Sequence, residues 1–258
     1  MKKVLLATLI LFSFGCQEKK QAENNIVKED SVSKDTMAFT PPTTAMQVVP
    51  LRSLPAPFVL DSITNKDSTR YKVIEIYFPV SKEDKGFNIM IQSYVQQYAK
   101  EFTAQQLNGV YDNAIFSMWP ISAVSVESLI GFCFIDQSYY PGAGHFTHRY
   151  ATFNYDKVKR KRIFFTDLFS FPSEKSRQKF CDLFNEFKDD GNVDSLNIKD
   201  LNKERDFQIT GGRLVLYFDD YEKDPSMREV KIDLARIHEF INPVLGKEYG
   251  LMEYRISD

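Results

Sequence analysis

The hydrophobic and polar positions of the chain change period several times after residue 70. Residues 71–80 are rich in Ile, Val, Tyr and Phe, which predicts a strand, and Pro79 suits the end or the edge of a sheet. From Asn88 onward, apolar residues recur at helical spacing. The predicted inner face consists of Ile91, Tyr94, Val95, Tyr98 and Phe102. This pattern is typical of an amphipathic helix with a largely aromatic buried stripe.

The middle of the chain predicts a run of strands. We expect three of them at about 114–126, 128–138 and 145–156. Pro141-Gly142-Ala143-Gly144 is the expected break before the third strand. A short fourth strand from Arg162 to Phe165 would pair back onto the third.

A second helix follows these strands. Ser173 is a suitable N-cap, and Glu174 in the first turn favours the helix dipole. The buried stripe of this helix would be Phe180, Leu183, Phe184 and Phe187. We expect the helix to end at Asp189-Asp190-Gly191.

The last segment predicts a hairpin, a strand and a short helix. Gly211-Gly212 is a two-residue turn signal between two apolar runs, and Met227 to Ile232 is another strand. Asp233 is the expected cap of a helix that Asn242-Pro243 would end. Strands and helices joined by hairpin-length links indicate an α+β fold. We expect a mainly antiparallel sheet with two longer helices and a short C-terminal helix.

The first sixteen residues have the pattern of an export signal. Lys2 and Lys3 precede an apolar run from Val4 to Gly15. About twelve residues are too few to span a bilayer core of about 30 Å, but they suit a signal-peptide core. Cys16 follows directly, and the arrangement resembles a bacterial lipoprotein signal, in which the cysteine carries the lipid. An ordinary secretory signal cut nearby is the alternative.

Composition divides the rest of the chain. Residues 16–57 combine mixed charges with several prolines and offer few apolar groups, which favours a flexible tether. We therefore expect a signal peptide (1–15), a tether (16–57), an N-terminal strand-helix subdomain (58–112) and a C-terminal subdomain (113–258).

Charge and cysteine content narrow the class of protein. A formal net charge of −2 and a pI near 6.0 argue against nucleic acid as a partner, because such binding needs a concentrated basic face. Cys133 and Cys181 could form one disulfide in an oxidising compartment. Two buried, unpaired thiols are the favoured state.

The residue types that carry catalysis form no familiar motif here. His145 and His148 have H-x-x-H spacing, but residues three apart on a strand point to opposite faces and cannot readily hold one metal ion. His238 has no partner implied by spacing. No G-x-S-x-G, S-x-x-K or H-E-x-x-H motif is present in the sequence. We therefore expect no catalysis, no metal and no cofactor.

One segment has unusual local chemistry, the bend from Tyr139 to Phe146. Its glycines allow backbone angles closed to other residues, and its rings offer flat amphipathic surfaces. The candidate binding residues are Tyr139, Tyr140, His145 and Phe146. Two interpretations stay open: a loop that binds a protein or a glycan, and a tight bend whose rings pack on the sheet.

The same region is similar to a known family. The segments that carry the similarity are Gly142-Ala143-Gly144-His145, Tyr150 to Asp156, Phe165 to Phe169, Phe207 to Thr210 and Gly212 to Phe218. They resemble the RsiV-like extracellular domain family, which is shared by lysozyme-sensing anti-sigma factors and by the non-catalytic N-terminal region of some polysaccharide deacetylases. The resemblance spans roughly residues 70–245. It implies this fold, an envelope location and binding as the mode of action.

Together these observations predict a lipoprotein of the cell envelope, anchored to a membrane that faces the periplasm or the cell surface. Its head would bind an envelope protein, a lysozyme-like protein or peptidoglycan without catalysing a reaction. The alternative is a peptidoglycan-acting hydrolase or a deacetylase accessory.

Overall fold

A computed structural model describes residues 53–67, 72–107, 114–143, 146–188, 195–218 and 228–253 of the protein. The predicted signal peptide, Cys16 and nearly all of the predicted tether lie outside these ranges, as does His145. Within the described residues, no helix is both long enough and apolar enough to cross a membrane.

A six-stranded sheet organises the molecule. Its strands, in spatial as well as chain order, are β1 (Phe58–Asp67), β2 (Lys72–Ser81), β3 (Ile115–Val126), β4 (Leu129–Tyr139), β5 (Thr147–Asp156) and β6 (Lys161–Ile163). Strand β2 runs parallel to β3, and every other neighbouring pair in this sheet is antiparallel. The parallel pair needs a crossover, and helix α1 (Lys85–Leu107) supplies it.

Helix α1 covers one face of this sheet. It begins where Asp84 Oδ1 accepts a hydrogen bond from Phe87 N at 3.0 Å, and Asp84 Oδ2 accepts another from Tyr155 OH on β5 at 2.6 Å. Its apolar stripe and the facing strand residues form a first core. That core includes Phe87, Ile91, Tyr94, Val95 and Phe102 of α1 with Ile76, Phe116, Phe132, Phe134 and Phe153 of the sheet. The aromatic stripe predicted from residue spacing is confirmed.

A small sheet faces the opposite side of the large one. It contains β7 (Phe207–Thr210), β8 (Arg213–Phe218) and β9 (Arg228–Asp233), all antiparallel. Alternation along β5 separates the two sides, because Phe153 enters the first core while Asn154 Nδ2 donates to Phe207 O of the small sheet at 2.9 Å. Helix α3 (Glu174–Phe187) completes a second core with Phe180 and Phe184.

Short helices fill the remaining connections. They are α2 (Phe165–Leu168), α4 (Leu234–Ile237), α5 (Pro243–Glu248) and two 3₁₀ turns, Ile198–Asn202 and His238–Phe240. The α+β class with a mostly antiparallel sheet is confirmed. Ser173 caps α3 as expected, since its side chain accepts from Ser176 N at 3.1 Å.

Several local predictions were wrong. Strand β1 was not predicted, because Phe58 alone is buried among its residues of described burial and its conformation depends on pairing with β2. Asp233 is the N-cap residue of α4 as expected, but its side chain accepts from Arg213 Nε at 3.0 Å and not from the first turn of the helix. Asn242 begins a helix rather than ending one, because its side chain accepts from Val244 N and Pro243 occupies the first helical turn.

Two further details differ from expectation. Strand β6 ends at Ile163, and Phe165 belongs to helix α2, whose first turn is held by Asp167 Oδ2 accepting from Phe164 N at 3.0 Å. Cys133 and Cys181 are free and buried. The unpaired state favoured for these two thiols is therefore confirmed.

Candidate functional site

The predicted bend joins β4 to β5 at one end of the large sheet. Ala143 N donates to Tyr140 O at 3.0 Å, and Gly142 has a φ of 90°. Proline followed by a residue of positive φ is the pattern of a type II turn, in which glycine suits the third position. Gly144 and the predicted binding residue His145 lie outside the described residues.

The bend separates the other predicted binding residues. Tyr139 is buried, and its ring packs against Phe146 with centroids 5.2 Å apart. Tyr140 is half-buried and packs against Phe102 of α1 at 5.6 Å. Consecutive residues at a strand end point to opposite faces, so Tyr140 is directed toward α1 and Tyr139 away from it. Of the two tyrosines, Tyr140 reaches a cavity.

That cavity, here called the bend pocket, lies between α1 and the bend end of β3, β4 and β5. Its volume is about 210 Å³. The bend pocket is lined by Tyr98, Glu101, Phe102, Phe116, Asp136, Ser138, Tyr140, Thr147, His148 and Arg149. One wall is aromatic, because Phe102 packs between Phe116 at 5.1 Å and Tyr140 at 5.6 Å.

The other wall contains a buried ion pair. Arg149 Nε donates to Asp136 Oδ2 at 2.7 Å, and the Asp136 side chain is only 2% exposed while that of Arg149 is 27% exposed. Burial raises the pKa of Asp136 to about 6, and the neighbouring Arg149 opposes that rise. Within the part of the chain that the structure describes, Asp136 Oδ1 accepts no hydrogen bond, although Asp136 lines the cavity.

A ladder of arginines and tyrosines supports this wall. The Arg149 guanidinium lies over the Tyr98 ring at 4.9 Å, Tyr98 OH bonds Tyr94 OH at 3.1 Å, and Arg162 lies over Tyr94 at 4.5 Å. Cation–π contacts of this kind stabilise more when they are shielded from water. The ladder therefore fixes the orientation of Tyr98 and Arg149 before any ligand arrives.

A second carboxylate, that of the half-buried Asp206, stabilises the strand beneath the ladder. Asp206 Oδ1 accepts from Thr152 N at 2.5 Å and from Thr152 Oγ1 at 2.9 Å, along the edge of β5 that β6 leaves uncovered. Burial raises the pKa of Asp206 despite these bonds. Asp206 holds β5 in place and is not among the residues that line the bend pocket.

Histidine and cysteine side chains of the described residues do not form a metal site or an activated nucleophile. Among the described residues, no group of three His, Cys, Asp or Glu side chains is arranged to hold a metal ion. His148 lies on β5 directly opposite Gln137 of β4, and His238 Nδ1 is 2.8 Å from Ala235 O. Burial raises the pKa of Cys181 to about 11, so this thiol stays protonated and weakly nucleophilic.

Most residues of the bend pocket were not predicted from the sequence. Asp136 interrupts the apolar run Leu129–Tyr139, and a charged residue inside an otherwise buried strand is a signal that could have identified it. Arg149 in β5 is a similar signal. Phe102 was correctly predicted on the inner face of α1, but helical spacing does not show that it borders a cavity.

Comparison with known proteins identifies the fold. No protein-family model and no curated protein sequence matches the chain. The structure of a DUF3298 family protein from Pseudomonas aeruginosa is similar with a TM-score of 0.51 and 12% identity, over 73% of this chain and 96% of that one. A DUF3298 family member from Bacteroides fragilis gives a TM-score of 0.46 and 14% identity, over 75% of this chain and 98% of that one.

At 12% identity the Pseudomonas structure shows a shared fold and nothing about activity. The chain thus has an α+β fold of the kind found in a DUF3298 family protein. The DUF3298 family resembles the RsiV-like domain, so the fold shared with the Pseudomonas protein agrees with the fold that the predicted resemblance implies. The RsiV-like assignment itself stays a prediction.

Proposed function

We propose that this protein is a lipid-anchored component of the cell envelope whose head binds a macromolecular ligand without catalysis. The bend pocket is the observation that supports the binding role. It combines an aromatic wall containing Tyr140 with the preorganised Asp136–Arg149 pair. Concave sites with aromatic lining and a few fixed polar groups are the usual form of ligand-binding sites.

The envelope location rests on the N-terminal sequence. Lys2 and Lys3, the apolar run and Cys16 support lipidation at the Cys16 sulfur. The lipid would anchor the chain to a membrane that faces the periplasm or the cell surface, with residues 16–57 as the tether. The ligand would then be an envelope protein, a lysozyme-like protein or peptidoglycan, reached by a head held away from the lipid.

The binding role is tested by site-specific photo-crosslinking in intact cells. A benzophenone amino acid replaces Tyr140 in the full-length protein, and Tyr77 in a matched control, because Tyr77 is an exposed tyrosine on β2 that does not line the pocket. We expect a discrete crosslinked product from position 140 and none from position 77. Equal crosslinking from both positions, or none from position 140, would contradict the bend pocket as the binding site.

The anchor is tested by metabolic labelling with an alkyne fatty acid. We expect the wild-type protein to incorporate the label and to enter the detergent phase of a phase-partitioning extraction. The Cys16→Ser variant should do neither. A label that survives this substitution would contradict the predicted lipidation site.

One observation favours an enzyme as the second candidate. Asp136 lines the pocket with a raised pKa, and Glu101 is a second carboxyl group in the same lining. Glycoside hydrolysis uses two carboxyl groups that flank the bond to be cleaved, and the general acid of such a pair has a raised pKa. Release of soluble fragments from labelled sacculi by the wild-type protein, abolished in Asp136→Asn, would establish the enzyme and overturn the non-catalytic proposal.

A further inference from the structure

The walls of the bend pocket offer two different surfaces to one ligand. Phe102, Phe116 and Tyr140 form a continuous apolar wall, with neighbouring ring centroids 5.1 and 5.6 Å apart. Such a wall suits a ligand that has one flat apolar face and polar groups around it. The C–H face of a pyranose ring has this shape and chemistry.

The opposite wall presents an acceptor beside a donor. Asp136 Oδ2 is occupied by Arg149 Nε at 2.7 Å, and in the described residues Oδ1 accepts no bond. A carboxylate accepts at both oxygens, and a guanidinium has five N–H donors on a rigid plane. An acceptor and a donor side by side match two neighbouring hydroxyl groups, each of which both donates and accepts.

The charges in the pocket favour a neutral ligand. A ligand cation would approach Arg149, which lies at its ladder position over Tyr98. A ligand anion would approach Asp136 and Glu101. Like charges close together in a partly buried site are unfavourable for either kind of ion. A neutral hydroxylated ring is repelled by neither charge, and it can form hydrogen bonds with both Asp136 and Arg149.

The size of the cavity limits how much of a ligand enters. Its volume of about 210 Å³ is below the range of roughly 300–1,000 Å³ that is usual for larger ligands. The pocket therefore has room for one ring rather than an extended chain. The remainder of a longer ligand would lie outside the pocket.

We infer that the bend pocket binds a single neutral sugar ring of an envelope glycan, with its C–H face on Tyr140 and Phe102 and its hydroxyl groups on Asp136 and Arg149. This inference rests on the proposed function, in that it identifies the ligand class for the same site. The aromatic wall supplies affinity. The ion pair selects the arrangement of hydroxyl groups, because a ring without hydroxyl groups in the matching positions would form no hydrogen bonds with Asp136 and Arg149.

The test measures binding of defined probes to the full-length protein by saturation-transfer NMR. The neutral probes are triacetylchitotriose, which represents amino-sugar glycans, and maltotriose, which represents glucans. The ionic probes are agmatine and glutarate. Each is used at about 10 mM, at which a Kd of about 1 mM gives near saturation. We expect saturable binding of at least one trisaccharide and of neither ionic probe.

Variants locate the binding. Tyr140→Ala removes the aromatic contact, and Asp136→Asn keeps the side-chain shape while replacing an acceptor by a donor. Each should weaken trisaccharide binding about tenfold or more, as removal of a central contact commonly does. Tyr77→Ala should leave it unchanged. Circular dichroism verifies folding, and Tyr140→Leu, which preserves bulk without the ring, replaces Tyr140→Ala if that variant unfolds.

Several results would overturn the sugar inference. Agmatine binding that weakens in Glu101→Gln would show a cation site, and glutarate binding would show an anion site. Trisaccharide binding that is unaffected by every pocket variant would place the sugar elsewhere. If position 140 crosslinks to a protein while neither trisaccharide binds, the sugar inference fails and the proposed binding role stands.

Discussion

Two buried aspartates near the ends of neighbouring strands have different surroundings. Asp156, at the end of β5, accepts from Val158 N at 2.8 Å and Lys159 N at 2.7 Å through Oδ1, and from Tyr249 OH at 2.8 Å through Oδ2. Asp136, near the end of β4, accepts from Arg149 alone among the described residues and borders a cavity. The two side chains are equally hidden from solvent, with residue exposures of 1% and 2%.

The difference shows how a structural carboxylate differs from a candidate binding group. Both oxygens of Asp156 accept hydrogen bonds that join a turn to the C-terminal segment, so neither oxygen is left without a partner. Asp136 keeps one oxygen available in a site that Arg149 and Tyr98 hold in shape. Burial alone does not separate the two roles. Hydrogen-bond capacity together with adjacent space does.

The largest expected effect on stability is at Asp156. Asp156→Ala leaves the buried Tyr249 hydroxyl without its acceptor and frees two backbone N–H groups of the turn. We expect the free energy of unfolding to fall by about 3 kcal/mol, measured by urea denaturation. Asp61→Ala, at an exposed position of β1, is the matched control and should change it little. A loss below about 1 kcal/mol at Asp156 would weaken its structural assignment.

The next largest effect is the pH dependence that Asp136 gives to the free energy of unfolding. Burial raises the folded-state pKa of Asp136 to about 6, above the value of about 3.9 for an unfolded chain. The folded state thus holds this proton more tightly, so the stabilising contribution is complete below about pH 4 and is lost as the pH rises through 6. Asp136→Asn has no such titration.

The measurement is the unfolding free energy of wild type minus that of Asp136→Asn. Between about pH 4 and pH 7 we expect this difference to decrease by about 2 kcal/mol, since each pKa unit corresponds to about 1.4 kcal/mol. Taking the difference removes the contribution of Asp206, which titrates in both proteins. A difference that does not change with pH would show that Asp136 is not desolvated as the structure indicates.

The smallest expected effect on stability is at Gly142, in the turn of the bend that joins β4 to β5. Gly142 and Gly211 both have positive φ, 90° and 55°, and an added Cβ would meet nothing within 4 Å at either position. Replacing either with Ala should lower the unfolding free energy by about 1 kcal/mol through backbone strain alone. Only Gly142→Ala should also weaken trisaccharide binding, since Gly211 lies in a distant hairpin. If the two variants changed trisaccharide binding equally, the conformation of the bend would have no specific effect on the pocket.

The predictions made from sequence were most accurate where local periodicity is strong. The aromatic stripe of α1, the strands β3, β4 and β5, and Ser173 as the cap of α3 follow from side chains close together in the chain. Strand β1 was missed because its structure depends on a partner. The end of the protein was misassigned because Asn242-Pro243 has the same signal whether a helix ends there or begins.

The candidate site was predicted only in part. Tyr140 was selected because an aromatic residue stood beside Pro-Gly, and it does line the bend pocket. Tyr139 was selected on the same grounds, and it is buried against Phe146. The pattern of the bend cannot separate these two residues, because the choice between them depends on which face of β4 each one leaves.

The amino-acid sequence by itself determined most of the elements, and with them the α+β class, and it determined the turn at Gly142, because these features depend mainly on residues within a few positions of one another. Only the tertiary structure decided that α1 would carry the chain from β2 to a parallel β3 and bring Tyr98 over Arg149. It also set the register that places Arg149 directly opposite Asp136. A pocket assembled from one helix and three strands depends on strand order and register, which are set by packing of the whole domain and leave no local pattern to detect.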